Sequence, residues 1–356
     1  MKIIVEWVIA FYIFICVALM VFNIAYIMKQ KASEKQNQRR IAYWEKVLDQ
    51  RKDGSLSNKE GKKLRQINEL TSFYHALDTE VLCIDQGQSF YLHNAALIRE
   101  LAIEYQKHSP MEKAFFAYFL ASFSFKGAKD TEILNQIMLN YFDNSTVYCR
   151  ENVLHALYSL GSVSAIEHAF SLLNENDWYH NPKLLADGLA LFRGDKTALV
   201  LHLWRHRDKW RDDLLQGLVQ FAGQLDDKEI QEQFYEAFEK ESLSSEVRFA
   251  LIRYFGSHET SGAKDILVSY LLSNKSDEEH YAISAASALA IYPGEDVTDA
   301  LISGLYSRSW YIRRNAAVSL YKRKAMEKAY RMVQIHEDRY AKDMLDYVNS
   351  SMGGGK

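Results

Sequence analysis

A chain of 356 residues, 48% of them hydrophobic and only 3 of them Pro, can bury a large core and offers few breaks to helices, which argues against a disordered chain. A formal net charge of −3 and a pI near 6.4 weigh against a generic nucleic-acid binder, because phosphate recognition needs a domain-wide excess of Lys and Arg. Cys16, Cys83 and Cys149 lie far apart and form no CxxC, so they read as reduced, packed thiols rather than a disulfide framework or a zinc site.

From Trp7 to Ile27 the sequence is WVIAFYIFICVALMVFNIAYI, with Asn23 the only strongly polar side chain. At about 1.5 Å per residue this helix is roughly 31 Å long, the thickness of a bilayer core. The apolar region is too long for a signal peptide and lacks a small-residue cleavage site, so residues 1–28 are expected to be an uncleaved membrane anchor. Lys29, Lys31, Lys35, Arg39 and Arg40 follow it against a single Glu34, which by the positive-inside rule places the remainder in the cytoplasm.

Residues 29–88 read as a juxtamembrane helical region. The helix is expected to continue through the basic stretch to Ile41–Leu48, and a second helix to cover Glu60–Leu77. Between them, Asp49, Asp53, Gly54, Leu56, Ser57 and Glu60 fall on positions 1, 5, 6, 8, 9 and 12 of a loop that resembles a calcium-binding EF-hand. Arg51 stands where position 3 needs an oxygen ligand, so an ordinary interhelical bend through Asp53 and Gly54 is the expectation.

Residues 89–324 carry a repeat. Phe90–Gln106 and Met111–Phe125 form the first helix pair, the second helix aromatic on several sides. Related segments then recur: STVYCRENVLHALYSLG from Ser145, SSEVRFALIRYFG from Ser244, EEHYAISAASALAIYPG from Glu278 and SWYIRRNAAVSLYKR from Ser309. The stops Gly127, Gly161, Gly194, Gly223, Gly256 and Gly294 are 34, 33, 29, 33 and 38 residues apart. That period predicts outer helices at Thr131–Phe142, Ser164–Leu173, Lys196–Arg207, Lys228–Glu241, Gly262–Leu272 and Asp296–Tyr306. Their inner partners are predicted at Thr146–Leu160, Asn181–Phe192, Asp208–Phe221, Ser245–Phe255, Glu279–Ile291 and Trp310–Lys322. Residues 325–350 read as a helical cap and 351–356 as a flexible tail. The fold class expected is all-α, an α-solenoid of helix pairs behind one transmembrane helix.

The inner helices open on a hydrophobic residue followed by Arg, at Cys149-Arg150, Val247-Arg248 and Ile312-Arg313, and continue through Ala or Leu to Gly. In this they resemble HEAT repeats of the armadillo-like superfamily, particularly the bacterial type related to phycobilisome lyases. Pro182-Lys183 and Ile283 depart from the pattern. The resemblance implies a fold and says little of activity.

Candidate chemistry concentrates in HLWRHRDKWRDD, His202 to Asp213, where Arg205, Arg207, Lys209 and Arg211 interleave with Trp204 and Trp210. The segment is either a phosphate- or acid-binding patch or a solvated corner whose tryptophans face the core, with Asp208, Asp212 and Asp213 cancelling its charge. His202 and His206 are one turn apart, but no third ligand lies nearby in sequence, so no metal and no cofactor is expected. Tyr148, Trp178, Tyr179, Trp210, Tyr281, Trp310 and Tyr311 recur where inner helices begin. On a concave face, they and Arg205, Arg207 and Arg211 would bind a protein partner; packing between repeats is the other account. Arg150, Arg248 and Arg313 are expected to pair with acidic groups of an adjacent repeat.

No phosphate-cradling glycine loop, nucleophile elbow or metal quartet is present in the sequence. The reading is therefore a membrane-anchored, non-catalytic scaffold or regulatory subunit for a protein partner, such as a membrane-embedded envelope or polysaccharide biosynthesis complex. The alternative is a HEAT-like DNA glycosylase, for which Trp178, Trp210, Asp187 and Arg211 supply the residue types.

Overall fold

Several helices in this chain begin where a side chain satisfies the unpaired amides of the first turn. Ser57 and Glu60 form a capping box, and the backbone and hydroxyl of Ser109 both donate to Glu112 ahead of Pro110. Asn181 accepts from the amides of Lys183 and Leu184, Asp195 from that of Ala198, and Asp227 from those of Glu229 and Ile230.

A computed structural model describes residues 2–51, 54–77, 84–123, 125, 131–142, 146–240, 243–273 and 278–353, with side chains omitted at 2–6, 8–10 and 84–89. Among the described residues the chain is all-α, with no strand. It divides into two units, Met1–Leu160 and Gly161–Lys356, a boundary that falls inside the predicted repeat region.

The first unit opens with α1, a single helix from Lys2 to Gln50. From Phe11 its N-terminal half is apolar and is not buried against the other described residues, so it is long and apolar enough to cross a membrane. Its C-terminal half packs on α3 (Ile67–Ala76). There Trp44 is fully buried, its indole N–H donates to Glu69 at 2.9 Å, and its ring meets Phe73 edge-on at 5.0 Å. The predicted helix Glu60–Leu77 is two helices, α2 (Asn58–Lys63) and α3. Gln66 is extended between them, and the hydroxyl of Tyr105 takes the carbonyl of Leu64 at 2.9 Å.

α4 (Ile84–Tyr105) kinks at Asn94, which is buried because its amide fastens the preceding loop. It donates to the carbonyls of Gly54 and Phe90 and accepts from the amide of Leu56. α5 (Pro110–Ala121) buries Phe116 and Phe119 between neighbours, as its aromatic composition requires, and packs on α4 and α7 (Val147–Leu160) beside α6 (Thr131–Asn140).

The second unit contains α8 (Val163–Glu175), α9 (Pro182–Leu189), α10 (Lys196–Arg205), α11 (Asp212–Ala222), α12 (Lys228–Lys240) and α13 (Ser245–Phe255). They are followed by α14 (Ser261–Leu272), α15 (Glu279–Ala288), α16 (Glu295–Gly304), α17 (Trp310–Lys322), α18 (Met326–His336) and α19 (Arg339–Gly353). Each predicted outer and inner segment is found as a helix within a few residues of its expected ends. Packing alternates: α8, α10, α12, α14 and α16 contact one another in succession, and so do α9, α11, α13, α15, α17 and α19. Two differences stand out. α11 begins at Asp212 rather than Asp208, because Arg207–Lys209 form a 3-10 turn and Trp210 and Arg211 are extended. The C-terminal helix continues to Gly353, so Ser351–Gly353 are helix rather than tail. Of the predicted stops, Gly127 lies outside the described residues.

Gly161 adopts φ +73 after α7, and Gly194 approaches it so closely that a Cβ on Gly194 would stand 2.5 Å from the Gly161 carbonyl oxygen. Gly194→Ala is expected to lower stability by about 1–3 kcal/mol through this overpacking. Gly353→Ala, with nothing within 4 Å of the new methyl, should be near neutral in the same urea titration.

Candidate functional site

The basic aromatic segment resolves into core and corner. Trp204 and Trp210 are buried; Trp210 donates its indole N–H to the carbonyl of Leu203 at 2.9 Å and meets Phe170 edge-on at 5.8 Å. Trp210 is thus packing, and the expectation that it forms part of a partner surface is corrected. Arg207 lies over Trp204 at 5.4 Å and donates to its carbonyl at 3.1 Å, while Arg205 is exposed.

Arg211 is a staple. Its guanidinium donates to both carboxylate oxygens of Asp213, at 3.0 and 2.8 Å, to the carbonyl of Trp178 at 2.8 Å and to that of Leu173 at 3.3 Å. Its backbone amide donates to Asn174 at 2.9 Å, and Asp213 also accepts from the amide of His180 at 3.0 Å. These bonds tie the α8–α9 connection to the start of α11, and they hold Arg211 extended, which is why that helix starts late. With Trp210 and Arg211 committed to packing, two of the residues that the glycosylase reading needs are not at a substrate surface. Asp187 is exposed on α9.

The remaining aromatic candidates divide by exposure. Tyr148 stands exposed at the start of α7 in the first unit. In the second unit Tyr179 is 67% exposed and Tyr311 62%, and Trp310 is also exposed. Trp310 and Tyr311 meet edge-on at 5.3 Å with Arg314 over the indole. Trp178 and Tyr281 are half-buried, the latter against Tyr270 at 5.1 Å. Arg248 donates to the carbonyl of Phe238 and to the hydroxyl of Tyr270, both at 3.0 Å, and Arg313 donates to the carbonyls of Ser307 at 2.6 Å and Arg308 at 3.1 Å.

The EF-hand-like loop has its position-12 carboxylate engaged: Glu60 caps α2 through Ser57 and pairs with Arg51 at 3.1 Å. Asp49 belongs to α1, and Asp53 lies outside the described residues, as does Cys83. Cys149 is buried, which raises its thiol pKa and fits a packed, unreactive role, whereas Cys16 is exposed on α1.

One cluster escapes sequence reasoning. Glu167 on α8 places a carboxylate oxygen 2.7 Å from Nε2 of His202, in the last turn of α10, and the other 3.4 Å from Nδ1 of His206, the residue that caps that helix. The His202 bond, with the nearby charges of His202, His206 and Lys209, outweighs partial burial and holds Glu167 below the usual glutamate range. Glu167 is 35 residues from His202, one repeat away, so only the period of the repeat could have pointed to it.

No protein-family model matches this chain, and no curated protein matches its sequence.

Arg211→Ala is expected to cost about 2–3 kcal/mol of stability, measured as a lowered urea midpoint, because several charge-assisted bonds and the pairing of Asp213 go together. Burial alone would raise the pKa of Asp213, but the Arg211 bonds and the His180 amide lower it below the ordinary 3.8. Its contribution is therefore present above that value and is lost as pH falls below it. Asp213→Asn should flatten this part of the acid limb in urea midpoints recorded from pH 6 to pH 3.

Proposed function

We propose that the chain is a membrane-anchored scaffold or regulatory subunit: α1 crosses the bilayer, and the helix pairs behind it stack as a HEAT-like α-solenoid that offers exposed aromatics to a protein partner. The observation that carries the reading is the apolar half of α1. Phe11 to Met28 expose a continuous band of aromatic and aliphatic side chains that no other described part of the chain covers, a surface far larger than a soluble monomer tolerates. The exposed Lys29, Lys31, Lys35 and Arg39 directly after it suit anionic headgroups and a cytoplasmic C-terminal side.

The solenoid part of the proposal draws on recurrent bonds between elements one repeat apart. Buried hydroxyls donate to backbone carbonyls from Tyr141 to Ala102, Ser159 to Ala121, Tyr292 to Phe255 and Ser319 to Ala286, separations of 39, 38, 37 and 33 residues. Such spacing is what stacking of successive pairs produces, and the alternate packing of the second unit agrees with it. The HEAT resemblance itself rests on the sequence pattern. A partner surface is supported by Tyr179, Trp310 and Tyr311, rigid side chains with large solvent-facing area. Tethering raises the effective concentration of that surface for other membrane proteins, including an envelope or polysaccharide biosynthesis complex.

Crosslinking in intact membranes, followed by gentle solubilisation and mass spectrometry, is expected to recover a protein partner, and Trp310→Ala/Tyr311→Ala should weaken its capture by about tenfold or more. Release of the chain by alkaline carbonate, or recovery of the chain alone from crosslinked membranes, contradicts the proposal.

A further inference from the structure

We propose that Glu167, His202 and His206 form a binding site for one divalent d-block cation, Zn²⁺ in the first instance, that bridges α8 and α10. The inference is independent of the anchor and of the partner surface. Two histidines at i and i+4 lie at the end of one helix, here with ring centroids 5.0 Å apart and planes at 74°, and a facing helix supplies the carboxylate. The three donor atoms lie within 4.8 Å of one another. Tetrahedral zinc, with bonds of about 2.0–2.2 Å, needs donor atoms roughly 3.3 Å apart. His202 Nε2 is 2.7 Å from one oxygen of Glu167 and His206 Nδ1 is 3.4 Å from the other, both close to that value, so side-chain rotations bring the three groups onto one ion.

The orphaned atom is what favours an ion over a simple ion pair. Nδ1 of His206 is screened from solvent and makes no hydrogen bond, although it faces Glu167 Oε1 at 3.4 Å. A buried ring nitrogen without a hydrogen-bond partner, next to a carboxylate oxygen, can be satisfied by a cation bound between the two. The site is open enough for entry, with His202 and His206 about one-third exposed at 32% and 33%. Lys209, whose charge reaches Glu167, is exposed and free of the cluster's interior, and Arg207 is turned toward Trp204. Imidazole donors with one carboxylate favour zinc, copper, cobalt or nickel over magnesium or calcium. Three protein ligands leave one position for water or for a side chain supplied by a partner.

The test uses the full-length, untagged chain in detergent, stripped with a chelator and titrated with Zn²⁺ alone by calorimetry, and separately with Co²⁺ while visible absorption is recorded. One ion per chain is expected, with a raised unfolding temperature and the ligand-field bands of four-coordinate cobalt. Glu167→Gln and His206→Asn should each weaken binding at least tenfold while far-UV circular dichroism is unchanged, and His336→Asn, on α18, should bind as the parent does. Absence of saturable 1:1 binding overturns the proposal. Unchanged affinity in Glu167→Gln also overturns it, since the histidine pair alone would then suffice, as does an equal loss in His336→Asn, which would place the ion elsewhere.

Discussion

A helix of ten to fourteen residues with an apolar stripe has no interior of its own, and the second unit is made almost entirely of such helices. The constraint on the rest of the structure is that each of them buries its stripe against neighbouring helices, the next helix and the next but one. α12 illustrates it. Ile230, Phe234, Ala237 and Phe238 face inward along one stripe, while Glu229, Glu232, Glu236 and Glu239 are exposed on the other side. Removing α10 or α14 would uncover part of that stripe, since both pack on α12.

Side-chain bonds refine this packing. Where a buried hydroxyl donates to a carbonyl one repeat away, it satisfies its own polar atom and fixes the sliding of one helix along another, which apolar contact alone leaves soft. Serine performs this role where backbones are close, as Ser319 does to Ala286 at 2.6 Å, and tyrosine where they are farther apart, as Tyr292 does to Phe255. At the rim, charged pairs repeat the interval: Lys264 reaches Asp296, and Lys328 reaches Glu295 and Asp299. These are exposed, and they contribute orientation more than stability.

The extent to which the fold is legible in sequence follows from the range of the interactions that decide each feature. α13 and α17 begin and end where expected because their apolar spacing is local information, and Ser244 also caps the first turn of α13. The break between α2 and α3 and the late start of α11 are set by partners far along the chain, Tyr105 for the first and the α8–α9 connection for the second. Exposure of aromatics at helix starts was equally opaque: Trp210 and Tyr311 occupy similar positions in the pattern, yet one is sealed beneath Phe170 and the other is bare. The metal-ligating types were visible as His202 and His206, but their third member lies one repeat away, where no short spacing rule reaches.

The unbroken course of α1 has a mechanical consequence. From Met28, near the end of the apolar band, to Trp44, locked under Phe73, the same helix advances about 24 Å at 1.5 Å per residue. Backbone hydrogen bonds along that distance leave no swivel, so a twist or tilt imposed on the apolar end arrives as torque on the aromatic cluster of Trp44, Phe73 and Phe119. The N-terminal helix is therefore a stiff crank.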